Sequence, residues 1–151
     1  MNRLVLAIFA GLGAAIAIGI LTFSETEITN IALVMAPFGA TTVLVFGLPE
    51  SPLAQPKNVI AGHFITAFIG VFFVEYIGVT PLSLALATGL AVSAMLATKT
   101  THPPAGANPL LIMLTGQSWA FLVTPVLLGA VIIMLLGKVM QQLRDRLNVV
   151  N

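Results

Sequence analysis

Leu4–Phe23 is an apolar run of about 20 residues with no charged side chain. As a helix it is about 30 Å long, the thickness of a bilayer's hydrocarbon core. Backbone amides in hydrocarbon must find partners inside the protein, so a chain of such runs is confined to helices or to a closed barrel. Further apolar segments follow at about 31–48, 59–78, 81–97, 103–117 and 119–137. Membrane-like sequence therefore continues past the first run, which reads as a transmembrane helix and not as a cleaved signal peptide. Only 7% of the 151 residues are charged, against about 25% in soluble proteins. A single transmembrane domain over 1–151 is expected, embedded in lipid.

Charge sets the expected orientation. Arg3 precedes the first segment, Lys57 follows the second, and Lys138, Arg144 and Arg146 follow the sixth, while Glu25, Glu27 and Glu75 fall in the other loops. Six crossings put all of these cations at the cytoplasmic ends, with both termini inside. A five-crossing alternative, with the weak fifth segment re-entrant, would leave three cations outside. A net charge of +1 without a clustered basic face excludes a nucleic-acid partner. The absence of cysteine excludes disulfides and thiolate chemistry. Neither a Ser/His/Asp set nor a metal-ligand cluster is evident, so no enzyme, cofactor or metal site is expected.

Two of the segments are interrupted. Ala36-Pro37-Phe38-Gly39-Ala40-Thr41-Thr42 matches His102-Pro103-Pro104-Ala105-Gly106-Ala107-Asn108, with Pro37 on Pro104 and Gly39 on Gly106. Each break lies in the middle element of a three-segment unit, 1–78 or 79–151. Three is odd, so the second unit begins from the opposite side. The expected fold is all-α: about six transmembrane segments as two inverted repeats, the middle segment of each broken into a half-helix. Matched breaks of this kind point to a substrate site near the bilayer midplane. One isolated Pro-x-Gly, by contrast, is ordinarily a kink.

A broken span exposes the first amides of its half-helix, which carry a partial positive charge. Two such ends facing one cavity would hold an anion. The expected contacts are Gly39, Ala40, Thr41 and Thr42 from the first break, and Ala105, Gly106, Ala107 and Asn108 from the second. Pro37, Pro103 and Pro104 shape the turns. Lys99 either snorkels to the interface or attracts the incoming anion. His102 either fixes its loop by hydrogen bonds or carries a proton with the anion. His63 reads as structural or interfacial. The stretch from Glu50 to Lys57 reads as an ordered loop, a plain connector in preference to a gate, and 139–147 as a basic amphipathic tail on the membrane surface. Small residues such as Gly11, Gly13, Ala87 and Ala91 allow close helix packing, within one protomer or in a homo-oligomer.

Thr101-His102-Pro103-Pro104-Ala105-Gly106-Ala107 resembles the signature of the HPP family of integral membrane proteins. Pro37-Phe38-Gly39-Ala40, the stretch from Pro49 to Asn58, and Gly62-His63 are similar to further blocks of that family. Cyanobacterial and chloroplast-envelope members are associated with nitrite transport, so the resemblance implies a nitrite carrier in a bacterial inner membrane. The family is usually described with about four transmembrane helices; the count of six here includes both broken elements. An anion channel and a non-transporting membrane scaffold are the alternatives.

Overall fold

The computed structural model describes residues 3–24 and 33–149, with side chains to Leu147. Glu25, Glu27 and the start of the second predicted segment lie outside the described residues. Helix α1 is Arg3–Ser24, α2 Ala36–Thr42, α3 Pro56–Tyr76, α4 Pro81–Ala97, α5 Asn108–Thr115 and α6 Leu128–Val149. No strand occurs among the described residues. By length and composition α1, α3 and the run Trp119–Leu147 could each cross a membrane, whereas Ala36–Gly47 and α4 are shorter apolar helices.

The side-chain distribution suits lipid rather than water. Helix α1 buries Gly13, Ala17 and Leu21, one turn apart, and exposes Leu4, Ile8 and Leu12. Helix α4 likewise buries Ala87 and Ala91 while exposing Leu82, Leu86 and Leu90. Small residues inward let backbones approach; large apolar residues outward match hydrocarbon. Gly13 packs on the Phe46 ring, which a β-carbon would meet at 2.6 Å, whereas nothing lies within 4 Å of a β-carbon at Gly11. Helix α6 is seated on the second segment in the same way: Gly129 faces Phe38 and Gly137 faces Val45.

Helix ends follow local chemistry. Thr80 and Ser83 form a reciprocal capping box at the start of α4, with Pro81 in its first turn. The far end of α4 closes in a Schellman turn: Thr100 N–H donates to Met95 O and Lys99 N–H to Leu96 O. Its left-handed position, usually a glycine, is Lys99 at φ 56°. Helix α5 ends at Gly116, where φ is 65°.

Three departures from the sequence expectations have physical causes. The second half-helix begins as a tight 3-10 turn, Pro103–Ala107, and becomes α-helical only at Asn108. Pro109 lacks an N–H and its ring would collide with the Ala105 carbonyl in a continuous α-helix. The sixth segment is broken as well. Thr124, before Pro125, is extended at φ −129° and ψ 121°, as residues preceding proline prefer. Finally, α6 runs unbroken to Val149, so 139–147 continues a helix instead of bending onto a surface. Arg144 on that extension pairs with Glu50 at 3.1 Å, and Gln141 donates to the same carboxylate.

Candidate functional site

The two breaks meet at a buried cluster of polar side chains. Helix α2 starts where Met35 is extended and Pro37 occupies the first turn. One turn later this places Thr41 inward, fully buried. Helix α3 supplies His63 and Thr66, both fully buried. His102 is extended at φ −138° and ψ 100° because a proline follows it, and α5 presents Asn108 from its first position. Gly62 permits the assembly. A β-carbon there would stand 2.8 Å from Thr100 O and 3.0 Å from His102 Cβ.

Within the cluster, Thr41 Oγ1 lies 2.8 Å from His63 Nε2, 3.0 Å from His102 Nε2 and 3.2 Å from Pro37 O. His102 Nδ1 lies 2.8 Å from Leu53 O. A carbonyl only accepts, so His102 Nδ1 carries a proton, and the neutral ring offers Nε2 as an acceptor. Asn108 Nδ2 lies 3.0 Å from each of His63 Nδ1, His63 O and Thr66 Oγ1. The carbonyl among them identifies that atom as the amide nitrogen. His63 Nδ1 therefore faces a donor, and its ring proton sits on Nε2. One arrangement satisfies these constraints with both rings neutral. Asn108 donates to His63, His63 to Thr41, Thr41 to His102, and His102 to the Leu53 carbonyl. The rings meet edge-on with centroids 4.9 Å apart, and Phe38 edges His63 from the other side at 5.2 Å.

The Glu50–Lys57 stretch is thus more than a connector. Its Leu53 carbonyl holds His102, Ser51 Oγ accepts from Leu53 N–H at 3.2 Å, and Asn58 Nδ2 donates to Thr101 O at 2.9 Å. His63, read as structural or interfacial, is central. A polar and small stripe along α3, Asn58-x3-Gly62-x3-Thr66-x3-Gly70, was available as its signal in the sequence.

Of the sequence-predicted residues, Thr41, His102 and Asn108 come together. Thr42 turns back on its own helix, its hydroxyl donating to Gly39 O at 2.7 Å. Ala105 is buried, Gly106 half-buried, and Ala40, Ala107 and Lys99 are exposed. Pro37 and Pro104 are buried and Pro103 is exposed. A β-carbon at Gly39 or Gly106 would meet nothing within 4 Å. Gly39 borders an open cavity of about 540 Å³, whose wall includes Met35 and Ala36 of the first break and Leu111, Thr115 and Gln117 around the end of α5.

That lining corrects one expectation. The start of α2 lies beside the end of α5, whereas the start of the second break lies beside Thr41, late in α2. The cavity at the start of the first break is therefore walled by the end of α5 and not by the start of the second break, the turn Pro103–Ala107, which packs on α2. Both Nε2 atoms converge on one point, but His63 Nε2 bears the ring's proton, so the pair does not offer two free nitrogens to a metal ion. No group of three His, Cys, Asp or Glu gathers among the described residues.

The model of the HPP transmembrane region matches residues 1–148. Two proteins of Dictyostelium discoideum, each named only as a transmembrane protein, are similar. One is 34% identical over 142 residues, covering 89% of this chain and 49% of its own length. The other is 35% identical over 126 residues, covering 78% of this chain and 40% of its own. The chain thus spans half or less of these relatives. No solved structure matches it.

Proposed function

The chain belongs to the HPP transmembrane family, and from that premise we propose that it carries a small inorganic anion, nitrite first, across a membrane with proton coupling at His102. In this reading it is a transporter and not an enzyme. It has six crossings in two inverted units, 1–78 and 79–151, and both termini are cytoplasmic. The observation that carries the reading is the buried cluster of Thr41, His63, His102 and Asn108. Polar and ionisable groups are costly inside an apolar membrane domain and mark substrate or proton pathways. The anion enters by the cavity beside Ala36 and Gly39, where the first turn of the second segment and the polar Thr115 and Gln117 line the wall.

The test is nitrite uptake into liposomes holding the purified protein, with and without an imposed pH gradient. Nitrous acid leaks through lipid, so empty liposomes set the baseline. Gly39→Leu is the control variant, because nothing lies within 4 Å of a β-carbon at this cavity-lining position. Uptake above baseline, driven by the gradient and lost in Gly39→Leu, is expected. Uptake indifferent to the gradient overturns the proton coupling, and uptake equal to that of empty liposomes overturns nitrite as cargo.

A further inference from the structure

We propose that the cluster is a one-proton switch: an added proton binds at His102 Nε2, and the Thr41 hydroxyl answers by turning from His102 to the Pro37 carbonyl. The inference deepens the proton-coupled reading above, and its test needs no transport.

The argument rests on which atoms can change role. With both rings neutral, two ring nitrogens are unprotonated, His63 Nδ1 and His102 Nε2. His63 Nδ1 faces the Asn108 amino group, which is also held by His63 O and Thr66 Oγ1 at 3.0 Å each. A proton placed on His63 Nδ1 would oppose another donor. Turning the amide over brings no relief, because Asn108 Oδ1 has no partner where it stands, and the amino group would lose both other acceptors by moving there. His63 is therefore locked in one protonation state by its neighbour.

His102 Nε2 is different, because its neighbour is a hydroxyl that can rotate. After protonation the ring donates through Nδ1 to Leu53 O and through Nε2 to Thr41 Oγ1. That oxygen then accepts from both rings, using its two lone pairs, and its own proton turns to Pro37 O at 3.2 Å. Every donor keeps an acceptor, and no covalent bond other than the new N–H forms. No acidic side chain is needed to balance the step. No hydrogen bond or ion pair links either ring to a charged side chain among the described residues. The neighbours that decide the outcome are His63 on α3, Thr41 on α2, Asn108 on α5 and the Leu53 carbonyl. Lys57 and Lys99, the cations nearest in sequence to the loops involved, are exposed.

Two histidines in the whole chain make the proposal directly readable. Protein labelled with 15N-histidine, purified through a histidine-free tag and placed in lipid, gives two ring spectra; His63→Gln assigns them. At neutral pH, His63 is expected to be protonated on Nε2 alone and His102 on Nδ1 alone. On acidification the unprotonated Nε2 signal of His102 is lost, while the unprotonated Nδ1 signal of His63 persists. Thr41→Ser should keep this order. Thr41→Val should remove the answering shift at His63 when His102 is titrated. Protonation of His63 first, or the opposite tautomer on either ring, would overturn the switch, even if nitrite uptake were normal. Failed uptake with the expected spectra would leave the switch standing and reject the carrier. Should Thr41→Val not fold, the wild-type tautomers and the order of protonation decide alone.

Discussion

Pro109 lies against Gly70 so closely that a β-carbon on the glycine would stand 3.0 Å from the proline Cα and 3.2 Å from Ile112 Cβ. This contact sets the spacing between α3 and α5, and so the depth at which Asn108 meets His63. The crowding atom is backbone and cannot swing away. Gly70→Ala is expected to lose about 1–3 kcal/mol, the usual cost of overpacking. Gly106→Ala, with open space around its β-carbon, should stay within about 0.5 kcal/mol of the parent. Denaturant unfolding in detergent compares them; equal stability for the two variants would refute the close approach.

Thr41 is the joint of the cluster, and its hydroxyl outweighs its methyl group. Thr41→Val keeps shape but leaves His63 Nε2–H and His102 Nε2 without partners. At about 1–3 kcal/mol for each buried unpaired group, the loss should reach about 2–6 kcal/mol. Thr41→Ser keeps the hydroxyl and should cost no more than about 1 kcal/mol, the worth of one buried methyl. The same unfolding measurement separates the two, and a Val variant as stable as the Ser variant would mean the hydroxyl bridges nothing.

Lys99 adopts a left-handed conformation as the penultimate residue of a Schellman turn. A side chain there costs about 1–2 kcal/mol, partly offset by the greater freedom glycine has when unfolded, about 0.5–1 kcal/mol. Lys99→Gly should therefore stabilise the protein by about 0.5–1 kcal/mol, while Lys99→Val should destabilise it. If the lysine also attracts the anion, uptake by Lys99→Gly falls, and falls less at high ionic strength, where attraction is already screened. Uptake unchanged at low salt would assign Lys99 to the turn alone.

How far the molecule could be read in advance depended on the range of the interaction. Segment positions follow from hydropathy, and α3 and α4 begin at Pro56 and Pro81, close to the expected 59 and 81. The matched breaks led to Thr41, His102 and Asn108 because the motifs themselves carry those residues. His63 escaped because its partners stand 22 and 45 residues away, beyond any local pattern, although the i+4 stripe through Gly62 and Thr66 marked its helix face. The wall of the first break's cavity was misjudged for a similar reason, since it holds the end of α5 and not the start of the second break. Periodicity shows that an element is broken but not which end of it touches which neighbour. Pro109 and Pro125, both visible in the sequence, account for the 3-10 start of the second break and the interruption of the sixth segment.

The absence of cysteine makes the proposed topology testable one residue at a time. Single cysteines at Gly39, Gly78, Ser51 and Gln117 would report on the two loop faces and the cavity. Each is exposed or half-buried, so labelling does not require unfolding. A membrane-impermeant maleimide added to intact cells should label Gly78→Cys and Gln117→Cys, both assigned to the outer face by the positive-inside argument. Ser51→Cys should react only after the membrane is opened. Gly39→Cys should react from outside with a small anionic thiosulfonate, more slowly than Gly78→Cys, because the reagent must enter the cavity first. Millimolar nitrite should slow that reaction without affecting Gly78→Cys. Labelling of Ser51→Cys in intact cells would invert the orientation. Labelling of Gly39→Cys only after the membrane is opened would close the proposed outer entrance and move the anion's path to the opposite side of the histidine cluster.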